Sequence, residues 1–194
     1  MKFEQKKKGN KYTFTLYDDY FNLSYDTQSG SGDKNINYAY FPKKCSIRIE
    51  QHEWLKNVGY VWTIAGIYNL GNALYYNAPA SGQGIWILSG ITCILLAYLS
   101  KTKYSVFRTE NGIIPIIQDK YHNQIINEIN KRKKAQLLEW HREINPDNTF
   151  ENEIEKFRWL VEEEAMNTRE AEEKIQQVKA LQMNSFPISS KKLN

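Results

Sequence analysis

Between Lys56 and Lys101 the chain runs for 44 consecutive residues without an Asp, Glu, Lys or Arg. Charged residues make up 25% of the whole chain, so such a gap is not expected of a soluble domain. The gap holds two apolar stretches, 57–76 and 84–100, joined by the turn-forming sequence NAPASGQ. Because about 20 apolar residues in a helix cross a bilayer, the gap predicts a transmembrane helical hairpin over 57–100. A buried helical hairpin in a soluble protein is the alternative.

Cations flank the gap on both sides, whereas the connecting loop has none. By the positive-inside rule this pattern predicts a multi-pass protein of the inner (cytoplasmic) membrane with both termini in the cytoplasm. The flanking cations are candidate contacts to lipid headgroups at the membrane surface. They are Lys43, Lys44, Arg48, Lys56, Lys101 and Lys103.

Small and polar residues interrupt the two apolar stretches. An amide such as that of Asn69 is costly in lipid unless it finds a partner across a helix–helix contact, and glycines let two helices approach closely. We therefore expect an intramembrane contact between the two helices. Its candidate residues are Gly59, Thr63, Gly66, Asn69, Asn72 and Ser89.

The segments on either side of the gap alternate apolar and polar residues, which is typical of strands. Residues 1–10 are expected to form a basic N-terminal arm, and 28–35 a polar loop. The predicted strands are 11–18, 20–27, 36–41, 45–50, 104–109 and 112–118. Because an isolated two-stranded hairpin is marginal in water, we expect the strands on both sides of the gap to share one sheet. The two halves of this β-domain are 11–55 and 101–144.

Helical spacing begins at Asp119, where Ile125, Ile129 and Leu137 recur on one face, and it ends at Asn145-Pro146. This helix is expected to close the second half of the β-domain. Two further amphipathic helices are predicted over 148–183, and the polar tail 184–194 is expected to be disordered.

Three blocks of sequence carry a resemblance to a known family. They are YTFTLYDDYFNLSYD, CSIRIEQHEWL entering the gap and KYSVFRTENGIIPIIQDKYHNQIINEINKRKKAQL leaving it. Their order resembles bacterial membrane proteins whose small pleckstrin-homology-like (PH-like, YcxB-like) domain is split by a two-helix transmembrane insertion. The resemblance covers roughly 11–140 and implies that the helix 119–138 packs across an open end of the barrel. The predicted fold class is thus an α+β membrane protein with a small PH-like β-domain, an inserted transmembrane helical hairpin and C-terminal helices.

The stretch FRWLVEEEAMNTREAEEKIQQVKAL, residues 157–181, resembles a short paired-helix module found at the ends of many prokaryotic proteins. Thr168, Glu170 and Lys174 stand where the module has matching residues, whereas Glu164 lies in a turn where glycine is common. The resemblance implies oligomerisation or contact with a protein partner. The candidate partner surface is Phe157, Leu160, Ile175 and Val178.

Two clusters of opposite charge occupy the C-terminal third. The basic cluster 131–134 (KRKK) is either a solvated helix face or a contact to anionic headgroups. Nucleic acid is an unlikely partner, because the net charge is only +4 and no stacking aromatic residues accompany the cluster. The acidic residues of 162–164 and 170–173 form either a solvated face or a docking surface for a basic partner or for the KRKK helix of the same chain.

The sequence offers no catalytic constellation. His52, His122 and His141 lack the spacing of metal ligands, and no nucleophile motif or phosphate-binding loop is present. We therefore expect no catalytic residue, no cofactor and no metal. The leading hypothesis is a non-enzymatic inner-membrane scaffold or adaptor that presents its PH-like domain and helical pair to a protein partner or to lipid.

Two other functions remain open at this stage. A small two-span membrane effector or channel formed by oligomerisation is the alternative, with Thr63, Asn69 and Asn72 as its polar stripe. A lipid-handling role for the open end of the barrel is a third. The expected partners are the lipid bilayer, and a protein or a second copy of the chain through the C-terminal helices.

Overall fold

The computed structural model describes residues 1–77, 79, 81–110 and 112–185, and has an α+β fold with two antiparallel sheets. The strands are β1 (Lys2–Lys7), β2 (Asn10–Leu16), β3 (Tyr20–Thr27), β4 (Gly30–Asn37), β5 (Cys45–Glu50), β6 (Thr102–Thr109) and β7 (Gly112–Ile117). The helices are α1 (Glu53–Tyr75), α2 (Gln83–Leu99), α3 (His122–His141), α4 (Phe150–Glu162) and α5 (Thr168–Ser185), and a 3₁₀ turn spans Tyr38–Tyr40.

The chain divides into two compact units. The first unit comprises Met1–Lys43, Thr109–Gly112 and Lys120–Asn194. The second comprises Lys44–Arg108 and Ile113–Asp119.

The first unit opens with a four-stranded meander in the order β1-β2-β3-β4. Side chains alternate between its two faces, because successive residues of a strand point in opposite directions. Phe14 pairs with Phe3 on one side and Leu23 on the other, and all three side chains are buried. This apolar face forms one part of the core of the first unit.

Helix α3 is attached to the end of this meander by hydrogen bonds to backbone groups. Gln136 donates to the carbonyl oxygen of Asp19 over 2.8 Å and accepts a bond from the Ala39 amide over 3.0 Å. Arg132 donates to the carbonyl oxygen of Tyr17 over 2.8 Å. These bonds tie α3 to backbone groups of the turn between β2 and β3 and of the 3₁₀ turn that follows β4.

The C-terminal helices form a second apolar cluster in the first unit. Its buried members are Leu137, Phe157, Leu160, Met166, Ala171 and Val178. Helix α4 begins at its N-cap Thr149, whose hydroxyl accepts from the Asn152 amide. The cluster joins one face each of α3, α4 and α5.

The second unit contains a three-stranded sheet in the order β5-β6-β7, together with a hairpin of α1 and α2. Strand β5 pairs with β6 in antiparallel register, with Cys45 opposite Phe107 and Glu50 opposite Thr102. The helical hairpin therefore leaves the sheet after β5 and returns to it at β6. These two strands, on opposite sides of the charge gap, are hydrogen-bonded neighbours.

The prediction of a transmembrane hairpin is wrong: within the described residues no helix is both long enough and apolar enough to span a membrane. Helix α2 has only 17 residues, which gives about 25 Å of length against a hydrocarbon core of about 30 Å. Helix α1 has 23 residues, but Glu53, Lys56 and several amides lower its mean hydropathy. The predicted fold class of an α+β membrane protein and the inner-membrane multi-pass location are corrected accordingly, and the two spans on which the channel alternative rests are not found among the described helices.

The strands also differ from the prediction in four respects. Where one sheet was expected the described residues form two, and of their strands before the gap only β5 pairs with a strand after it. Strand β1 lies in the segment predicted to be a basic arm, and β4 covers most of the predicted loop 28–35. The predicted strand 36–41 is instead the end of β4 followed by the 3₁₀ turn. Of the predicted tail, Asn184 and Ser185 end α5, and 186–194 lie outside the described residues. The resemblance to PH-like domains stays a prediction.

Candidate functional site

A basic cleft lies in the first unit, between the middle of α3 and the end of α4. Its volume is about 540 Å³. Most of its wall on α3 is one helical face, because Asn127, Asn130, Lys131 and Lys134 are spaced by three, one and three residues. The residues that line it are Lys43, Asn127, Asn130, Lys131, Lys133, Lys134, Glu163 and Glu164.

Lys133 forms the buried floor of this cleft. Its Nζ donates to Glu163 Oε2 over 2.6 Å and to the carbonyl oxygen of Phe41 over 2.7 Å. Its side chain is only 8% exposed. A buried ammonium group requires such partners, because an unpaired charge in the interior is costly. Lys133 is therefore a structural tie between α3, α4 and the segment after the first sheet.

Glu164 lies at the more exposed side of the cleft. Its Oε2 accepts from Lys134 Nζ over 3.0 Å, and the hydrogen bond and charge of Lys134, with the charge of Lys43, hold its carboxyl pKa below the usual range. Its backbone has a φ of +55°, a conformation that favours glycine over other residues. Glu164 thus keeps a strained turn conformation while its carboxylate is engaged by the cleft.

The four cations of the KRKK cluster lie in different surroundings, because successive residues of α3 point in different directions. Arg132 and Lys133 point toward the interior of the first unit, where both donate to backbone carbonyls. Lys131 is exposed and Lys134 is half-buried, and both line the cleft, as the buried Lys133 does. The pairing of the acidic run with the KRKK helix of the same chain, one of the two sharper predictions for these charges, is confirmed by the bonds of Lys133 and Lys134.

The four residues of the predicted partner surface lie within the chain's own helical cluster. Phe157, Leu160 and Val178 are buried there, and Ile175 is partly buried against it. An amphipathic helix buries its apolar face against a neighbouring apolar surface. Here the apolar faces of α3, α4 and α5 pack against one another. These side chains are therefore not on an open face.

The hairpin of the second unit has an unusual internal contact. Its buried residues are small and recur every seven positions: Gly59, Gly66 and Ala73 in α1, and Gly90 and Ala97 in α2. A Cβ atom at Gly59 would lie 2.6 Å from Ile94 Cγ1 and 2.8 Å from the Gly90 carbonyl oxygen. The two helix backbones therefore approach closely.

The six residues predicted for the helix–helix contact do not all lie in it. Gly59 and Gly66 lie on the contact, and Thr63 donates its hydroxyl proton to the Gly59 carbonyl oxygen over 2.8 Å. Asn69 is exposed, whereas Asn72 and Ser89 are half-buried.

The large apolar side chains of the hairpin point outward. Exposed ones number nine in α1 and eight in α2 among the described residues. They are Trp54, Tyr60, Val61, Trp62, Ile64, Ile67, Tyr68, Leu74 and Tyr75, with Ile85, Trp86, Leu88, Ile91, Leu95, Leu96, Tyr98 and Leu99. An isolated helix pair in water is expected to do the reverse, with large apolar residues between its helices. An apolar surface of this extent marks a site of interaction.

Five of the six predicted headgroup contacts belong to the second unit. Arg48 lies 3.4 Å from Glu50, Lys56 lies 2.8 Å from Glu53, and the Lys101 ammonium lies 4.0 Å from the centre of the Tyr98 ring. Lys44 and Lys103 are exposed. The sixth, Lys43, is exposed and lines the basic cleft of the first unit.

The histidines occupy separate places. His141 stacks edge-on against Trp159 with ring centres 5.5 Å apart, and burial, with the charge of Lys156, lowers its pKa. His52 precedes α1, and His122 begins α3. In the described part of the chain no three His, Cys, Asp or Glu side chains are grouped so as to hold a metal ion.

No protein-family model, no curated protein and no solved structure matches this chain.

Proposed function

We propose that the chain is a non-enzymatic scaffold whose α1–α2 hairpin assembles with the hairpins of further copies. The observation that carries the proposal is the inverted packing of the hairpin, in which small residues lie inside and large apolar residues outside. An outer surface of this kind is stable only where another apolar surface covers it.

A second copy is the occupant that fits this surface. The 44 residues of the gap carry no charge, so a matching partner surface must itself be apolar and free of charge over a similar length. The hairpin is such a surface. Its 17 exposed large apolar side chains compare with the roughly 20 to 30 residues that each partner contributes to a standard interface. Helical hairpins that pack in this way form four-helix bundles.

Disulfide cross-linking tests the proposal. In a Cys45→Ser, Cys93→Ser background, Ile64→Cys, Leu88→Cys and Leu95→Cys each place one thiol on the outer face of the hairpin. We expect at least one of them to give a covalent dimer under mild oxidation. Leu181→Cys, equally exposed but on α5, is the matched control and is expected to stay monomeric. Dimers from none of the three, or equally from the control, would overturn the proposal.

A second candidate function is contact with an anionic lipid surface. It is favoured by the exposed Lys44, which immediately precedes β5, and the exposed Lys103 in β6, because these two strands flank the hairpin in sequence. Lysines near such a surface contribute about 1 kcal/mol each. Flotation with vesicles that contain phosphatidylserine, and none with pure phosphatidylcholine, is the expected result. Flotation that is unchanged by Lys44→Gln with Lys103→Gln would contradict this candidate.

The order of elements supports the proposed resemblance to PH-like domains. Among the described residues, strands β1 to β7 are followed by α3, and the helical hairpin is inserted between β5 and β6. Under this proposal the hairpin is the segment through which copies of the scaffold assemble.

A further inference from the structure

Two of the four ammonium groups in the basic cleft have no ion-pair partner among the described residues. Among the described residues, Lys133 and Lys134 pair with Glu163 and Glu164, but no carboxylate lies within ion-pair distance of Lys43 or Lys131. Four lysines against two glutamates leave a formal charge of +2 at the cleft.

The neutral residues of the cleft are suited to an anion of small size. The side-chain amides of Asn127 and Asn130 supply N–H donors beside Lys131. The volume of about 540 Å³ lies in the range of small-ligand sites. No aromatic side chain is among the described residues that line it, so a stacked base finds no platform there.

We propose that this cleft binds a phosphate group, held by Lys43, Lys131 and Lys134 and by the two asparagine amides. A phosphate dianion matches the charge of +2 and offers several acceptor oxygens to these donors. The group is either free phosphate or the phosphomonoester of a lipid headgroup, since both present the same dianion. This inference is independent of the assembly proposed for the hairpin.

Glu164 acts as an internal competitor of this anion. Its carboxylate now holds Lys134, over 3.0 Å, in the place where a bound phosphate would accept from the same ammonium group. Binding therefore requires the Glu164 side chain to release Lys134. Glu163 is not displaced, because its partner Lys133 is buried and also holds the Phe41 carbonyl.

Titration of inorganic phosphate into the full chain, followed by calorimetry at fixed ionic strength, tests the site. Lys43→Gln and Lys131→Gln are each expected to lower the affinity about tenfold, because each removes one charge-assisted bond. Glu164→Gln is expected to raise it, because it frees Lys134. Lys179→Gln, an exposed lysine on α5 outside the cleft, is the matched control and should leave the affinity unchanged.

A second arm identifies the source of the phosphate. Vesicles of phosphatidylcholine with and without phosphatidic acid are compared in co-sedimentation, with the same variants. Binding that needs phosphatidic acid and is lost in Lys131→Gln, with none of free phosphate, assigns the headgroup. The proposal is overturned if neither probe binds wild type or Glu164→Gln saturably, or if Lys43→Gln, Lys131→Gln and Lys179→Gln have equal effects.

Discussion

The Lys133 ammonium group donates to Glu163 Oε2 over 2.6 Å and thereby ties the middle of α3 to the C-cap residue of α4. It stands two residues after Lys131 and immediately before Lys134 in the same run of cations. All three line the cleft, but Lys133 is buried, whereas Lys131 is exposed and Lys134 is half-buried. Lys133 therefore forms a structural ion pair, whereas Lys131 and Lys134 are accessible to a ligand.

Removal of one partner of this pair is expected to destabilise the protein. Glu163→Ala leaves the Lys133 ammonium buried without its carboxylate, at a cost of about 3 kcal/mol in the free energy of unfolding. Urea denaturation measures it. Glu164→Ala breaks the neighbouring exposed pair and is expected to cost less, because solvent screens that pair. Equal losses in the two variants would contradict the structural role of Lys133.

The lowered pKa of Glu153 is expected to make the free energy of unfolding depend on pH. Burial of this side chain, 2% exposed, raises its pKa, but hydrogen bonds from Lys156 and Asn148, with the charge of Lys156, outweigh burial and lower the pKa. Its contribution to stability is therefore present above the ordinary pKa of 4.5 and is lost as the pH falls through the lowered value.

Glu153→Gln is accordingly expected to cost about 2 kcal/mol at neutral pH, because a charge-assisted network is weakened. The difference from wild type should shrink as the pH falls below 4.5. Urea denaturation at a series of pH values measures both. A difference that stays constant into the acid range would show that the carboxylate's charge is not involved.

Two glycines of α1 provide a matched test of the close helix contact. A Cβ at Gly66 would lie 2.7 Å from Ile87 Cγ1 and 2.9 Å from the Ile87 amide nitrogen, so Gly66→Ala must push the helices apart. Nothing lies within 4 Å of a Cβ at Gly71. Gly71→Ala is therefore expected to stabilise α1 by up to about 1 kcal/mol through helix propensity. Thermal melts compare the two, and a gain from Gly66→Ala would refute the contact.

The turn between β1 and β2 offers a stabilising substitution. Lys8 and Gly9 have φ values of +50° and +82°, the pattern of a two-residue hairpin turn in which Asn-Gly is favoured. Lys8→Asn should raise the free energy of unfolding by up to about 1 kcal/mol. Lys7→Asn removes the same charge from within β1 and should give no gain. A gain from both would point to charge rather than backbone conformation.

The sequence predicted those elements in which apolar residues keep a regular period. Ile125, Ile129 and Leu137 mark the buried face of α3, and all three are buried in the structure. Strand β4, in contrast, has Ile36 as its one aliphatic residue, and it is held by backbone pairing with β3. Periodicity gives no sign of such a strand.

The sequence pattern alone did not predict the basic cleft or the packing of the hairpin. The run of four cations shows no difference between Arg132 or Lys133 and their neighbours until the tertiary fold places two of them against backbone carbonyls. The charge gap predicts a membrane span because it is long and apolar overall. Helix α2, however, has 17 residues, and polar residues dilute α1.

The central claim, that the outer face of the hairpin assembles with further copies, is tested most directly by sedimentation equilibrium of the full chain. Wild type is expected to sediment as an oligomer, and Ile64→Glu with Leu88→Glu as a monomer, because both side chains are about two-thirds exposed and a charge there opposes an apolar contact. Leu181→Glu, which adds a charge on exposed α5, should leave the oligomer intact. A wild-type monomer at every concentration, or an oligomer that persists in the Ile64→Glu, Leu88→Glu variant, would contradict the account.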